Sequence, residues 1–164
     1  MEGHTADDTP LIFWLLAGYF RLSGPHMKTE GIFRVTGSDA KIRELELHMS
    51  QGDYPFLTRV AEPHTVTNYW KRVLREMREP LIPYKLYHSF EQIAQIAIDT
   101  SPNAQIDQIM LLNLKFLLNQ LPPLNFNTLK FHAEFFKEVS DMQPFNKMNI
   151  YNLAVTVGPN IFRP

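Results

Sequence analysis

Apolar positions recur at helical spacing along most of this chain. Leu11 to Phe20 is an apolar run preceded by Thr9-Pro10, which reads as an N-cap followed by a proline in the first turn. The pattern predicts a helix to about Leu22, stopped at Ser23-Gly24-Pro25. Its apolar content is nearly all-round, which implies burial on several sides. Ser38 is a good N-cap for a helix through about Ser50, with Ile42, Leu45 and Met49 as a narrow core stripe. Lys41, Arg43, Glu44 and Glu46 then face water. Residues 53–65 read as an irregular connection with two prolines. Val66 to Arg78 reads as the next helix. Val66, Trp70, Val73, Leu74 and Met77 form its continuous apolar stripe, and Lys71, Arg75 and Arg78 fall on an adjoining one.

Pro80 and Pro83 stop that helix. Tyr84 to Asp99 reads as one or two helices with Leu86, Phe90, Ile93 and Ile96 to Ile98 inward. Ser101-Pro102 starts another, to about Gln120, with Ile106, Met110, Leu114, Leu117, Leu118 and Leu121 on its core side. Leu121-Pro122-Pro123 breaks the chain. Asn127 caps a predicted helix from Thr128 to Val139, with Leu129, His132, Ala133, Phe136 and Val139 on one face. His132 reads as a hydrogen-bonded histidine at the core edge and not as a ligand. The last helix, about Lys147 to Val157, is apolar on most sides and therefore central. Asn152 within it needs partners if buried. Gly158-Pro159 terminates it, and Asn160 follows on a loop. No stretch alternates with period two over a useful length. The expectation is an all-α single domain, a bundle of seven to nine helices.

Composition narrows the function. Hydrophobic residues make up 45% and charged residues 20% of the 164, enough for a real core. The net charge is −1, without the basic excess a nucleic-acid binder shows. There is no cysteine, which removes disulfides, thiol chemistry and most structural zinc sites and fits a reducing compartment. The run from Leu11 to Phe20 is half the roughly 20 residues that span a bilayer. Acidic Glu2, Asp7 and Asp8 precede it, the opposite of a signal peptide's charge. No phosphate-binding Gly-x-x-x-x-Gly-Lys-Ser/Thr string, no His-x-x-x-His pair and no Gly-x-Ser-x-Gly elbow occurs. No metal or cofactor site of its own is expected.

What remains is a loop and a helix face. Thr29-Glu30-Gly31-Ile32-Phe33-Arg34-Val35-Thr36-Gly37 brackets one arginine between glycines that permit unusual backbone conformations. Ile32, Phe33 and Val35 are large enough to anchor its shoulders in a core. On these residues alone Arg34 is either a solvated charge or a presented one. Lys71, Arg75 and Arg78 are likewise either a solvated basic face or a docking face for an anionic partner.

The loop, continued into Ser38, resembles the arginine-finger loop of the Rho GTPase-activating protein (RhoGAP) domain family. Residues 70–83, Trp-Lys-Arg-Val-Leu-Arg-Glu-Met-Arg-Glu-Pro-Leu-Ile-Pro, are similar to that family's second signature. Asn146-Lys147-Met148-Asn149 with Asn152-Leu153-Ala154-Val155 and Gly158-Pro159-Asn160 are similar to its third. Leu121-Pro122-Pro123 with Asn125 fits the stretch between. The resemblance runs from residue 9 to the end of the chain. Trp70 stands where the family usually has a smaller aliphatic residue, and Met77-Arg78 where it has Leu-Pro.

The resemblance implies a GTPase activator that inserts Arg34 in trans into a GTP-bound Rho-class small GTPase. Lys71 and Arg75 would steady the finger loop and contact the switch region, and Asn160 would hydrogen-bond at the same interface. GTP and magnesium would come with the partner. The domain would then be no enzyme by itself, and monomeric. It would work in cytoplasmic signalling to the cytoskeleton, without inserting into membranes. Any membrane recruitment would belong to regions outside this chain. The alternative is a non-catalytic module that binds a GTPase. The family normally continues into a further C-terminal helix, so residues 1–164 are expected to be one domain from a larger protein.

Overall fold

The computed structural model describes residues 9–59, 61–99 and 108–164. Among the described residues the chain forms ten helices and no strand. They are α1 (Leu11–Leu22), α2 (Gly24–Met27), α3 (Asp39–Ser50), α4 (Pro55–Arg59), α5 (Pro63–Glu76), α6 (Tyr84–Asp99), α7 (Gln108–Leu118), α8 (Pro123–Asp141), α9 (Gln143–Asn146) and α10 (Ile150–Ile161). The count exceeds the expected seven to nine because α2, α4 and α9 are only four or five residues long. Each carries a proline at its start, and none is long enough to show an apolar period. Helix α4 occupies the stretch expected to be irregular.

Several boundaries move for related reasons. Proline is tolerated in a first turn, where its missing N–H has no helical partner anyway. Thus α5 begins at Pro63 and α8 at Pro123, five residues before the Thr128 start expected from Asn127. Pro10, not Thr9, is the N-cap of α1, and the Thr9 hydroxyl instead reaches Asn127 O at 3.4 Å. Gly158-Pro159 lies inside α10 and does not end it. The carbonyl deprived of its donor by Pro159 belongs to Val155, which is solvent-exposed. The Asn160 amide donates to Thr156 O and Val157 O at 3.3 and 3.2 Å and reinforces that turn. The expected helix start at Ser101-Pro102, with Ile106, lies outside the described residues.

The apolar faces are narrower than the sequence suggests. Helix α1 buries Phe13, Leu16, Ala17, Tyr19 and Phe20 but exposes Leu11, Trp14 and Leu22. Helix α8 buries Thr128, Phe131, His132, Phe135 and Val139, while Ala133 faces solvent. Ile96 on α6 is exposed, and α10 exposes Ile150, Tyr151 and Val155.

Helix α5 packs against α1, α3 and α10 and carries the centre of the core. Trp70 on α5 is fully buried and stacks on Phe135 with ring centroids 4.7 Å apart. Its indole N–H donates to His132 Nε2 at 2.9 Å. The other ring nitrogen, Nδ1, donates to Thr128 O at 2.7 Å. His132 is 1% exposed, and this pair of bonds fixes the neutral tautomer with the proton on Nδ1. It is fully internal, not at the core edge.

Burial pushes the His132 imidazole down to about 4, against an ordinary 6.5, although the bond to Thr128 pulls the other way. Between those values the unfolded chain binds a proton that the folded chain refuses. The stabilisation is therefore complete above pH 6.5 and is lost as the pH falls toward 4, by about 3 kcal/mol for this group. Thermal melting from pH 7 to pH 4 is expected to show a decline in the wild type that His132→Gln reduces. Parallel curves for the two proteins would contradict the assignment.

Candidate functional site

The loop from Thr29 to Gly37 is built around residues that could not easily be exchanged. Gly31 and Phe33 both have left-handed backbones, with φ of 72° and 65°. A side chain at Gly31 would place its Cβ 2.7 Å from Val35 Cγ2 and 3.4 Å from Arg34 Nη2. The glycine therefore makes room chiefly for Val35, with the Arg34 guanidinium lying beside it. Gly31 O accepts from the N–H groups of both Arg34 (2.9 Å) and Val35 (2.8 Å). Gly37 has a different role from the one expected. Its backbone is ordinary, but an added Cβ would sit 3.1 Å from His64 O and 3.3 Å from Thr65 Cα. It is a close-approach glycine that lets the loop lie on the start of α5.

Ile32 and Phe33 are fully buried and anchor the loop, while Val35 is 42% exposed and does not. The Phe33 ring meets Trp70 at 5.7 Å and Phe136 at 5.1 Å, both edge-on. Between these neighbours Arg34 is exposed. Among the described residues its guanidinium makes no hydrogen bond or ion pair.

Helix α5 supports the loop from one side. Lys71 Nζ donates to Phe33 O at 2.7 Å, one residue before Arg34. Burial lowers the Lys71 pKa, and the neighbouring Arg75 lowers it further. Asn68, one turn earlier, donates to Val35 O at 2.9 Å. Lys71 and Arg75 line an open cleft of about 390 Å³ together with Asn68, Thr156 and Asn160. Asn160 is on helix α10, not on a loop, and is only 7% exposed. Arg78 does not share the face, because α5 ends at Glu76 and Met77 is extended.

The cations here are not equivalent. Arg72 is held by Glu76 at 2.9 Å and Glu46 at 3.5 Å, with Asp39 at 4.0 Å. Its charge is matched within the protein. Arg34, Lys71 and Arg75 have no carboxylate within ion-pair distance among the described residues. The charged residues lining the cleft are Lys71, Arg72, Arg75 and Asp39, which leaves it net positive although the chain as a whole carries −1.

The other support was missed in the sequence. Asn146 is fully buried. Its Nδ2 donates to Met27 O at 3.0 Å and Val139 O at 2.8 Å, and its Oδ1 accepts from Met148 N at 2.8 Å. Its backbone carbonyl accepts from Gly31 N at 2.8 Å. One asparagine thus ties α2, α8 and the arginine loop together. The signal for it was its place at the head of the stretch similar to the family's third signature, which marks the position without showing what it bonds. Asn149 is the N-cap of α10, accepting from Asn152 N at 2.8 Å, so this helix starts later than the expected Lys147.

An all-α domain that presents an unpaired arginine beside a cationic cleft is the class defined by this geometry. The RhoGAP domain family model matches residues 10–164. The chain belongs to that family. It is 32% identical over 155 residues to mouse (Mus musculus) Rho GTPase-activating protein 22, covering 94% of this chain and 21% of the relative. It is 33% identical over 155 residues to human (Homo sapiens) Rho GTPase-activating protein 24, covering 94% and 20%. The chain thus spans about one fifth of these relatives' length. Among solved structures, human Rho GTPase activating protein 15 superposes with a TM-score of 0.76 at 23% identity, covering 94% of this chain and 70% of that one. The BH domain from Graf, the GTPase regulator associated with focal adhesion kinase, gives 0.74 at 22% identity, covering 93% and 78%. These two show the fold.

The Lys71 ammonium gives Phe33 O its side-chain donor. Replacing it with an apolar group of similar length, Lys71→Met, is expected to cost about 1–2 kcal/mol of stability. Denaturant unfolding checks this. An unchanged midpoint would show that the bond contributes nothing.

Proposed function

We propose that this domain accelerates GTP hydrolysis on a Rho-class small GTPase by supplying Arg34 in trans. The observation that carries the reading is the exposed, unpaired Arg34 guanidinium on a loop anchored on both sides of its backbone. The GTP-bound partner brings GTP, magnesium and the attacking water. Negative charge on the γ-phosphoryl oxygens is what the inserted guanidinium would stabilise, an effect worth roughly 10³ to 10⁵ in rate. Arginine suits the task because its planar fork stays charged and bonds two oxygens at once. The domain has no catalytic cycle of its own in this reading, and no cofactor of its own takes part.

Docking falls to the cleft. Arg75 offers an uncompensated charge to the partner's surface. Lys71 has spent one N–H on Phe33 O and serves both the loop and the interface. Asn160 has committed its amide donors to its own helix, which leaves Oδ1 to accept from a partner. The relatives' name as Rho GTPase-activating proteins supports the same partner class.

Arg34→Ala is expected to lower stimulated hydrolysis by about 10²- to 10⁴-fold while binding to the GTP-loaded partner persists. Equal rates for wild type and variant would remove the finger and leave a binding module. Lys71→Ala and Arg75→Ala are expected to weaken the complex and flatten its dependence on salt, read by titration at two ionic strengths. Unchanged affinity in both variants would place docking elsewhere.

A further inference from the structure

Helix α5 ends without the glycine that helices commonly use to close their last turn. Its C-cap, Met77, is extended at φ −56° and ψ 136°. The carbonyls at this end are met instead by a side chain from far along the chain. Arg163 Nη1 donates to Arg75 O, and Arg163 Nη2 donates to Met77 O, both at 2.6 Å. The Arg163 Nε is buried without a partner among the described residues, so the two terminal nitrogens make the whole contact. A guanidinium here also opposes the negative end of the helix dipole. The backbone closes the same junction: Ile82 N–H donates to Ile161 O at 3.2 Å. Asn125 Nδ2 donates to the adjacent Leu81 O at 2.9 Å.

One of the two capped carbonyls belongs to Arg75 itself, the exposed cation of the cleft. The geometry points to Arg163 as a positioning residue for Arg75. By bonding Arg75 through its own backbone, Arg163 keeps the last turn of α5 helical and the Arg75 side chain in the cleft with Lys71 and Asn160. The inference rests on the reading of that cleft as the docking face. Lysine is a poor substitute, because a single ammonium lacks the planar fork that spans two carbonyls.

The test is a double-mutant cycle on the full chain, read as affinity for a Rho-class GTPase loaded with a non-hydrolysable GTP analogue. Arg163→Ala is expected to weaken binding about tenfold, the size of a lost charge-assisted hydrogen bond. In an Arg75→Ala background the same change is expected to cost less than about twofold. The maximal stimulated rate at saturating domain is expected to stay unchanged, since Arg34 and its loop are untouched. Arg163→Lys serves if the alanine variant does not fold, with the same pattern at smaller size. Equal losses in both backgrounds, or no loss at all, overturn the positioning role. Amide exchange gives a readout without a partner: residues 72–79 are expected to exchange faster in the variant and residues 31–37 not. Unchanged exchange at 72–79 also overturns it. Faster exchange there with no GTPase bound by the wild type supports the cap and instead sinks the docking reading.

Discussion

Phe33 turns its ring into the core against Trp70 and Phe136 while its carbonyl faces the Lys71 ammonium. Its backbone is left-handed, a conformation that costs a residue with a Cβ about 1–2 kcal/mol. Full burial of a phenylalanine contributes about 1.5–3 kcal/mol, and edge-to-face contacts contribute about 0.5–1.5 kcal/mol more. Burial therefore outweighs strain, and the loop is held in a shape it would not choose alone. The next residue, Arg34, is exposed on the loop so held. An arginine on a loop so held loses less freedom on entering a partner's site than one on a mobile loop.

The same core residue links the loop to the helix beneath it. Trp70 touches Phe33 on one side and bonds His132 on the other. One residue on, Lys71 reaches back to the loop carbonyl. Thus α5 works as a beam: its buried face carries the aromatic cluster, and its adjoining face carries Asn68, Lys71 and Arg75 at one-turn spacing. Charge sorting on that beam separates roles. Arg72 is neutralised by acids of α3 and α5, whereas Arg34, Lys71 and Arg75 have no carboxylate partner among the described residues.

Much of this was legible in the sequence because it is periodic or compact. The stripe of Val66, Trp70 and Leu74 fixes which face of α5 is buried, and Lys71 and Arg75 follow from it by spacing alone. Gly31 and Arg34 were visible as a bracketed loop. What could not be read depends on contacts between distant segments. Asn146 looks like an ordinary polar residue until Met27, Val139 and Gly31 converge on it. Arg163 looks like a terminal charge until it meets Arg75 O, 88 positions away. Asn160 was misplaced because Gly-Pro is usually a stop. Here the exposed Val155 and the Asn160 amide let α10 run through it. Trp70 was legible only as a member of the apolar stripe, yet its N–H created a demand that His132 meets.

If the held Arg34 completes another protein's active site, the domain is needed only in catalytic amounts. The direct measurement is phosphate release from a panel of GTP-loaded Rho-class GTPases, with this domain at far less than one equivalent. At least one GTPase is expected to turn over its entire GTP load much faster with the domain than without it. GTPases that bind the domain yet hydrolyse at their intrinsic rate throughout the panel would contradict it.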